Sequence, residues 1–305
     1  MLAAIVFGSS SWWLWPHARP ATPATQAAPS PTALPATASA DIPEASLQQL
    51  LQAPAEPDWR VRRLRGNPAV LVIEFPGLRA QGEALNRMAA LLERSGGDRN
   101  RVLSDVALAT LIEASGDNAA TFYLGHDYDA DGLARFFNQA EAQGVALNAS
   151  ELRLRQLLSD ARLLSANGPL QTPYVGISPG ALVSFSVLQD DDPRTTPDES
   201  MDARRRASVL QHELSHGKFF TRADYRDHCW NFWQRLLSAP ERELWRRYLR
   251  GLGYDGSNEL LMVNETQALL MHTPDTRDFS AASLGVNELE LNGLRTRFQL
   301  RLAPD

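Results

Sequence analysis

The first half of the chain contains one strand pattern and several helix patterns. Pro68–Leu78 (PAVLVIEFPGL) is rich in β-branched and aromatic residues and is bounded by turn-forming residues, which predicts a strand. From Ala80 to Arg94, apolar residues recur at helical spacing until Ser95–Gly96–Gly97 ends the pattern. Three further helices are predicted, at Asp105–Ala114, Asp131–Gly144 and Ser150–Leu164. These elements predict an α-rich N-terminal region over residues 42–168.

The second half begins with a different pattern. Thr172–Pro193 contains two β-favouring runs separated by Pro179–Gly180, and an acidic loop follows to Ser200. A helix is predicted over Met201–His216. Four more helices are predicted, at Cys229–Leu237, Pro240–Leu252, Asn258–Met271 and Asn287–Leu300. The whole pattern predicts a mostly helical α+β protein with a second region over residues 169–305.

The N-terminus has a pattern of its own. Residues 1–15 are uncharged and apolar and end in three tryptophans, and residues 16–41 are rich in Ala, Pro, Thr and Ser, which predicts a disordered linker. The apolar run is shorter than the ~20 residues of a membrane span and lacks a positive flank, and a start codon assigned too far downstream would account for both. We expect a signal or inner-membrane anchor that places the protein in the periplasm or outside the cell. The alternative is an incidentally apolar, disordered tail.

Composition excludes some classes of protein. Hydrophobic residues make up 44% and charged residues 22% of the chain, as in ordinary soluble domains. A net charge of −6 argues against nucleic acid as a partner. The single cysteine, Cys229, excludes an intrachain disulfide and a CxxC metal site.

The candidate chemistry lies in Leu210–Phe220 (LQHELSHGKFF), within the predicted helix. His212 and His216 are four residues apart, so their side chains project from one face of a helix and can bind one ion. Zinc accepts neutral imidazole ligands, and a catalytic zinc has three protein ligands and one open position. Glu213 lies beside this pair, where its carboxylate can accept a proton from the attacking water.

The motif HELSH, His212 through His216, resembles that of the zincins, the HExxH zinc metallopeptidases. The resemblance implies Zn²⁺ bound to His212 and His216, with Glu213 as the general base. It also implies a zincin-like fold in which a small β-sheet packs beside the active-site helix. In that fold an edge strand before the helix binds the peptide substrate. Gly180–Leu188 has the position of that strand, and an internal core strand is the open alternative.

The residues after the motif favour one group of zincins. The metzincin continuation HxxGxxH is absent, because Phe219 replaces its glycine and Arg222 its histidine. The GTxxD motif of aspzincins is also absent. Gluzincins take their third ligand from a glutamate on a later helix, commonly in an Asn-Glu pair. Here NETQA supplies Glu265, 49 residues after His216, a longer gap than in the best-known members.

Glu265 is therefore the predicted third metal ligand. It lies on an apolar helix face, where a carboxylate is costly to bury unless it is paired or bound to a metal. Three other residues remain as alternatives: Glu259, His228 and Asp224. Four residues are candidates for stabilising the oxyanion, and the sequence does not rank them: Tyr225, Tyr254, His272 and Arg222.

Two other motifs have simpler interpretations. Asp127–Gly132 (DYDADG) mimics the start of an EF-hand loop, but Asn138 stands where its last ligand, a glutamate, is required. Capping of the next helix by Asp129 or Asp131 explains the motif better. The triplet Arg204–Arg206 is expected to be a solvated turn.

These observations predict a zinc metallopeptidase that hydrolyses peptide bonds of a peptide or protein substrate in the cell envelope. One alternative is another zinc hydrolase, such as an amidase that acts on cell-wall material. The other is a membrane-tethered scaffold or binding protein whose metal site is structural or vestigial. Glu213 argues against the scaffold, because a structural zinc does not require that carboxylate.

Overall fold

A mixed β-sheet with helices packed against it forms the centre of the molecule, an α+β fold. The structure is a computed structural model, and it describes residues 41–94, 101–166 and 173–300. The strands are β1 (Glu44–Ala45), β2 (Arg60–Leu64), β3 (Asn67–Phe75), β4 (His126–Asp129), β5 (Leu164–Ala166), β6 (Tyr174–Gly176) and β7 (Ala181–Ser186). Five of them form one sheet in the order β1-β2-β3-β7-β4, and β5 pairs with β6 separately. The main sheet therefore joins strands from both halves of the chain.

Most of the predicted helices are present, but the helix predicted to end at His216 continues to Thr221, and the one predicted to begin at Cys229 begins at Ala223. The helices are α1 (Leu47–Gln52), α2 (Leu78–Leu92), α3 (Asp105–Ala114), α4 (Ala130–Ala142), α5 (Ala149–Asp160), α6 (Ala203–Thr221), α7 (Ala223–Asn231), α8 (Ala239–Gly251), α9 (Glu259–His272), α10 (Ala281–Leu284) and α11 (Glu288–Gln299). A short π-helix (Phe232–Leu236) continues α7. The Asp202 side chain caps the N-terminus of α6 by accepting a hydrogen bond from the Arg205 N–H.

The centre of the sheet is fully buried. β3 and β7 run parallel, and every residue of β7 is buried, as expected for a strand covered on both faces. Gly180–Leu188 therefore contains an internal strand, the alternative that the sequence left open. One edge of the sheet is β4, antiparallel to β7, and the other is β1. The sequence did not predict β4, because HDYD is short and polar.

Helix α6 packs closely against this sheet. A β-carbon on Gly217 would lie 2.9 Å from Cγ1 of Val70 on β3 and 3.4 Å from Cγ1 of Val183 on β7. Glycine thus permits a short distance between helix and sheet one residue after His216. Helix α9 packs on α6 as well. The two helices that carry the predicted metal ligands are therefore neighbours.

The predicted solvated turn at Arg204–Arg206 is only partly correct. Arg204 is exposed, but Arg206 is 5% exposed and forms an ion pair with Glu74 of β3. Its guanidinium also donates to the Ser186 carbonyl at 3.0 Å. The first turn of α6 directs Arg206 towards the sheet, where Glu74 is also paired with Arg60. Arg206 therefore connects the start of α6 to the sheet.

The N-terminal predictions concern residues that the structure does not describe. The predicted signal or anchor at residues 1–15, and all but the last residue of the linker at 16–41, lie outside the described residues. Within the described ranges, none of the helices combines the length and the apolar character that crossing a membrane requires.

Candidate metal centre

The structure brings His212, His216 and Glu265 together at the contact between α6 and α9. The Nε2 atoms of the two histidines are 2.9 Å apart. Glu265 Oε2 lies 3.7 Å from His212 Nε2, and Glu265 Oε1 lies 3.8 Å from His216 Nε2. Zinc with ligand bonds of 2.0–2.1 Å and tetrahedral geometry separates its ligand atoms by roughly 3.3 Å. The three side chains therefore lie within about 0.5 Å of the spacing of a zinc ligand set.

A hydrogen bond fixes the tautomer of His212. Its Nδ1 atom lies 2.7 Å from Thr273 Oγ1, and the Thr273 hydroxyl donates its hydrogen to the Ala268 carbonyl at 3.0 Å. The hydroxyl must then accept from His212 Nδ1–H, which leaves the Nε2 lone pair on the side of His216 and Glu265. The Nδ1 atom of His216 is buried without a partner among the described residues, so its tautomer is not fixed in this way.

Burial also keeps His212 in the form that binds metals. Removal from water disfavours the imidazolium ion and lowers the pKa of His212 to about 4. The imidazole is therefore neutral near pH 7, with Nε2 available to a cation. Metals bind this neutral form of histidine.

Four carboxyl groups surround the histidines. Glu265, Glu213 and Glu93 are 2%, 5% and 7% exposed, and Asp127 Oδ2 lies 3.6 Å from His216 Nε2. Burial raises the pKa of each of the four, to about 7 for Asp127, and the nearby carboxylates raise the pKa of Glu213 further. Within the described part of the chain, Oε2 of Glu213 and Oε2 of Glu265 accept no hydrogen bond. Such buried oxygens are costly unless a cation binds them, so the donor set fits a metal ion.

Glu213 lies on the same helix as the two histidines, and its carboxylate lies against the backbone of Gly125. A β-carbon at position 125 would be 2.2 Å from Glu213 Oε1. Gly125 immediately precedes β4, so the edge of the sheet determines the space that the carboxylate occupies. Glu213, Asp127 and His216 also form a second group whose potential ligand atoms lie within 4.8 Å of one another.

Of the four oxyanion candidates, Tyr254 lies at the centre. Its hydroxyl lies close enough to Glu265 to lower the pKa of that carboxyl group, which burial raises, and Tyr254 lines a cavity of about 160 Å³ together with His212 and Glu213. Tyr225 instead donates to Gln267 Oε1 at 2.7 Å, and its hydroxyl lies 3.0 Å from His272 Nε2. Arg222, the fourth candidate, is exposed and forms an ion pair with Asp224.

The alternative third ligands have other contacts. Glu259 is paired with Arg246 at 2.8 Å and accepts a hydrogen bond from the indole of Trp233. His228 packs edge-on against the ring of Phe298, with 4.6 Å between ring centroids. Asp224, bound to Arg222, is exposed. Of the four candidates for the third ligand, Glu265 is thus the one that the structure places beside both histidines.

The sequence did not identify Asp127, Glu93, Gly125 or Thr273 as parts of this centre. Asp127 belongs to the DYDADG motif, and the cap predicted there is confirmed, because Asp129 accepts a hydrogen bond from the Gly132 N–H at 2.7 Å. The carboxylate of Asp127, two residues earlier, lies 3.6 Å from His216 Nε2 instead. The only sequence signal for this position of Asp127 was its place in the DYDADG motif.

Comparison with known proteins adds no further assignment. No protein-family model matches the chain, and no match to it was found among the curated proteins or the solved structures. Its function is inferred from the site alone.

Proposed function

We propose that the protein is a zinc-dependent metallopeptidase of the gluzincin type. His212, His216 and Glu265 would hold the zinc, with Glu213 as the general base. The observation that carries the proposal is the convergence of two Nε2 atoms and one buried carboxylate within 4 Å of one another. The hydrogen bond from His212 to Thr273 supports it, because it orients one ligand.

The surrounding residues supply the chemistry of amide hydrolysis. When bound, zinc polarises the scissile carbonyl and lowers the pKa of the attacking water. Glu213 accepts the water proton at its unpartnered Oε2 atom and then passes it to the leaving amine. Tyr254 is the candidate donor to the oxyanion, because its hydroxyl lies beside Glu265 in the cavity of Glu213.

The position of α6 supports a zincin-like assignment at the level of the fold. The helix packs against a small sheet whose edge strand, β4, is antiparallel to its neighbour and borders the centre. Residues 1–15 support action in the cell envelope, because an apolar, tryptophan-rich start is typical of exported or anchored proteins.

The test is hydrolysis of a mixed peptide library by the full chain, compared with Glu213→Gln and with the exposed control Glu113→Gln. We expect cleavage that a chelator abolishes, and a loss of about 100-fold or more in Glu213→Gln with its zinc retained. The control should cleave like the wild type. Equal rates for all three proteins would contradict the proposal. Cleavage of cell-wall amides but not of peptides would favour the amidase.

A further inference from the structure

A second cavity, of about 320 Å³, opens beside the metal centre. Asp127 and Asn264 connect the two, because both line the cavity while Asp127 Oδ2 lies 3.6 Å from His216 Nε2. Asn264 is 3% exposed and donates a hydrogen bond to Asp127 at 3.4 Å. The volume lies near the lower end of the range for small-ligand sites, about 300–1,000 Å³. The cavity therefore lies directly beside the proposed metal centre.

The lining of the cavity is divided between apolar and acidic residues. Its apolar wall is formed by four side chains, those of Leu92, Phe220, Leu260 and Leu261. Four acidic residues also line it: Glu93, Asp127, Asp129 and Asp131. Among the described residues that line the cavity, Arg135 is the one basic residue. An apolar wall together with excess negative charge suits a group with an aliphatic stem and a cationic end.

Glu93 and Asp127 are both placed to receive such a cationic end. They line the cavity, with 7% of Glu93 and 11% of the Asp127 side chain exposed. The nearest arginine in sequence, Arg94, donates to the Leu252 carbonyl at 2.9 Å and stacks on Phe122, although its charge acts favourably on Glu93. A cationic group in this cavity can therefore donate hydrogen bonds to both carboxyl groups.

We propose that this cavity is a specificity subsite that binds the lysine or arginine side chain of a peptide, with Glu93 and Asp127 binding its charged end. The stem of the side chain packs along Leu92 and Leu261. This inference rests on the proposed peptidase function, because it assumes that a peptide lies at the metal centre. A basic residue beside the scissile bond is then the recognised feature of the substrate.

The test compares two peptides that differ in one charge. Each carries lysine or norleucine at the same position in an otherwise neutral, N-acetylated sequence, and the position is scanned along the peptide. Binding to zinc-loaded Glu213→Gln full chain is measured by calorimetry, so that no turnover is needed. At one position we expect lysine to bind at least 10-fold more tightly than norleucine, or about 1.4 kcal/mol. Equal affinities at every position would overturn the proposal.

Substitutions of the two cavity carboxylates test where the lysine side chain binds. In the same background, Glu93→Gln and Asp127→Asn together should abolish the preference for lysine, whereas the exposed control Asp160→Asn should retain it. A preference that survives the double substitution would place the cation elsewhere and overturn the proposal. So would a preference that appears only when the peptide N-terminus is free, because the bound group would then be the terminal ammonium.

The two hypotheses fail in different ways. If the wild type cleaves peptides with no preference for lysine, the peptidase function stands and the subsite is wrong. If lysine peptides bind selectively but nothing is cleaved, the cation subsite stands and the peptidase function is wrong.

Discussion

Gly125 and Glu213 are in direct contact, with the glycine backbone packed against the carboxylate, so that a β-carbon at position 125 would be 2.2 Å from Oε1. This contact connects the loop before the edge strand β4 to the residue proposed to move the proton. The absence of a side chain at position 125 thus determines where the carboxylate of Glu213 can lie.

Gly125→Ala should impair turnover without removing the metal. The added methyl group displaces the Glu213 carboxylate, and a correctly placed general base contributes roughly 10²–10⁴ to the rate. We expect kcat/KM for a cleaved peptide to fall at least about 10-fold, with zinc content unchanged. The matched control is Gly251→Ala, because no atom lies within 4 Å of a β-carbon there. Wild-type kcat/KM in Gly125→Ala would show that the contact does not position Glu213.

The Thr273 hydroxyl should contribute to zinc affinity. Thr273→Val removes the acceptor for His212 Nδ1–H. The imidazole is then no longer held in the orientation that a metal ligand needs. Loss of such an outer partner typically costs 10–100-fold in metal affinity. We expect a loss in that range, measured by competition with a chromogenic chelator. Thr273→Ser retains the hydroxyl and should bind zinc like the wild type, and equal weakening in both variants would refute the tautomer assignment.

Stability of the metal-free protein should depend on pH through Asp127. Burial raises the pKa of Asp127 to about 7, whereas an unfolded aspartate titrates near 4. Between these values the folded state binds more protons than the unfolded state, so the free energy of unfolding falls as pH rises from 4 to 7. Asp127→Asn removes this pH-dependent decrease in the free energy of unfolding. Urea unfolding in a chelator should therefore show that the substitution is more favourable at pH 8 than at pH 5, by at least about 1 kcal/mol.

The control for this pH effect is Asp160→Asn, whose side chain is exposed. Its effect on the free energy of unfolding should be the same at both pH values. A pH-independent effect of Asp127→Asn would mean that Asp127 ionises equally readily in the folded and unfolded chains.

The buried carboxylate of Glu74 should be important for stability. It is paired with both Arg60 and Arg206, and the three residues are at most 5% exposed. Glu74→Gln leaves the buried guanidinium of Arg206 without its counter-charge and leaves Arg60 paired with the exposed Glu56, and breaking a buried pair in this way costs about 3–5 kcal/mol. Glu56→Gln provides the comparison, because Glu56 binds the same Arg60 from an exposed position and should change stability by less than about 1 kcal/mol. Similar losses in the two variants would contradict the account.

The sequence predicted well the features that depend on local patterns. The helix of His212 and His216 and the helix of Glu265 were both predicted, and the Asn-Glu pair singled out Glu265, which the structure places beside both histidines. Features that depend on distant contacts were not predictable. Gly125 meets Glu213 across 88 residues of chain, and β4 is too short and polar to be recognised as a strand. Arg206 was expected in water, because an arginine triplet at a helix start gives no indication of a buried partner on β3.

The most direct test of the account is the zinc content of the purified full chain, measured by mass spectrometry of the metal beside His212→Ala, Glu265→Ala and the control His228→Ala. We predict close to one zinc per chain in the wild type and in His228→Ala, and loss of zinc in the other two variants. Zinc that persists in Glu265→Ala would move the third ligand to another residue. Absence of zinc from every sample, even after reconstitution, would contradict the proposed metal centre itself.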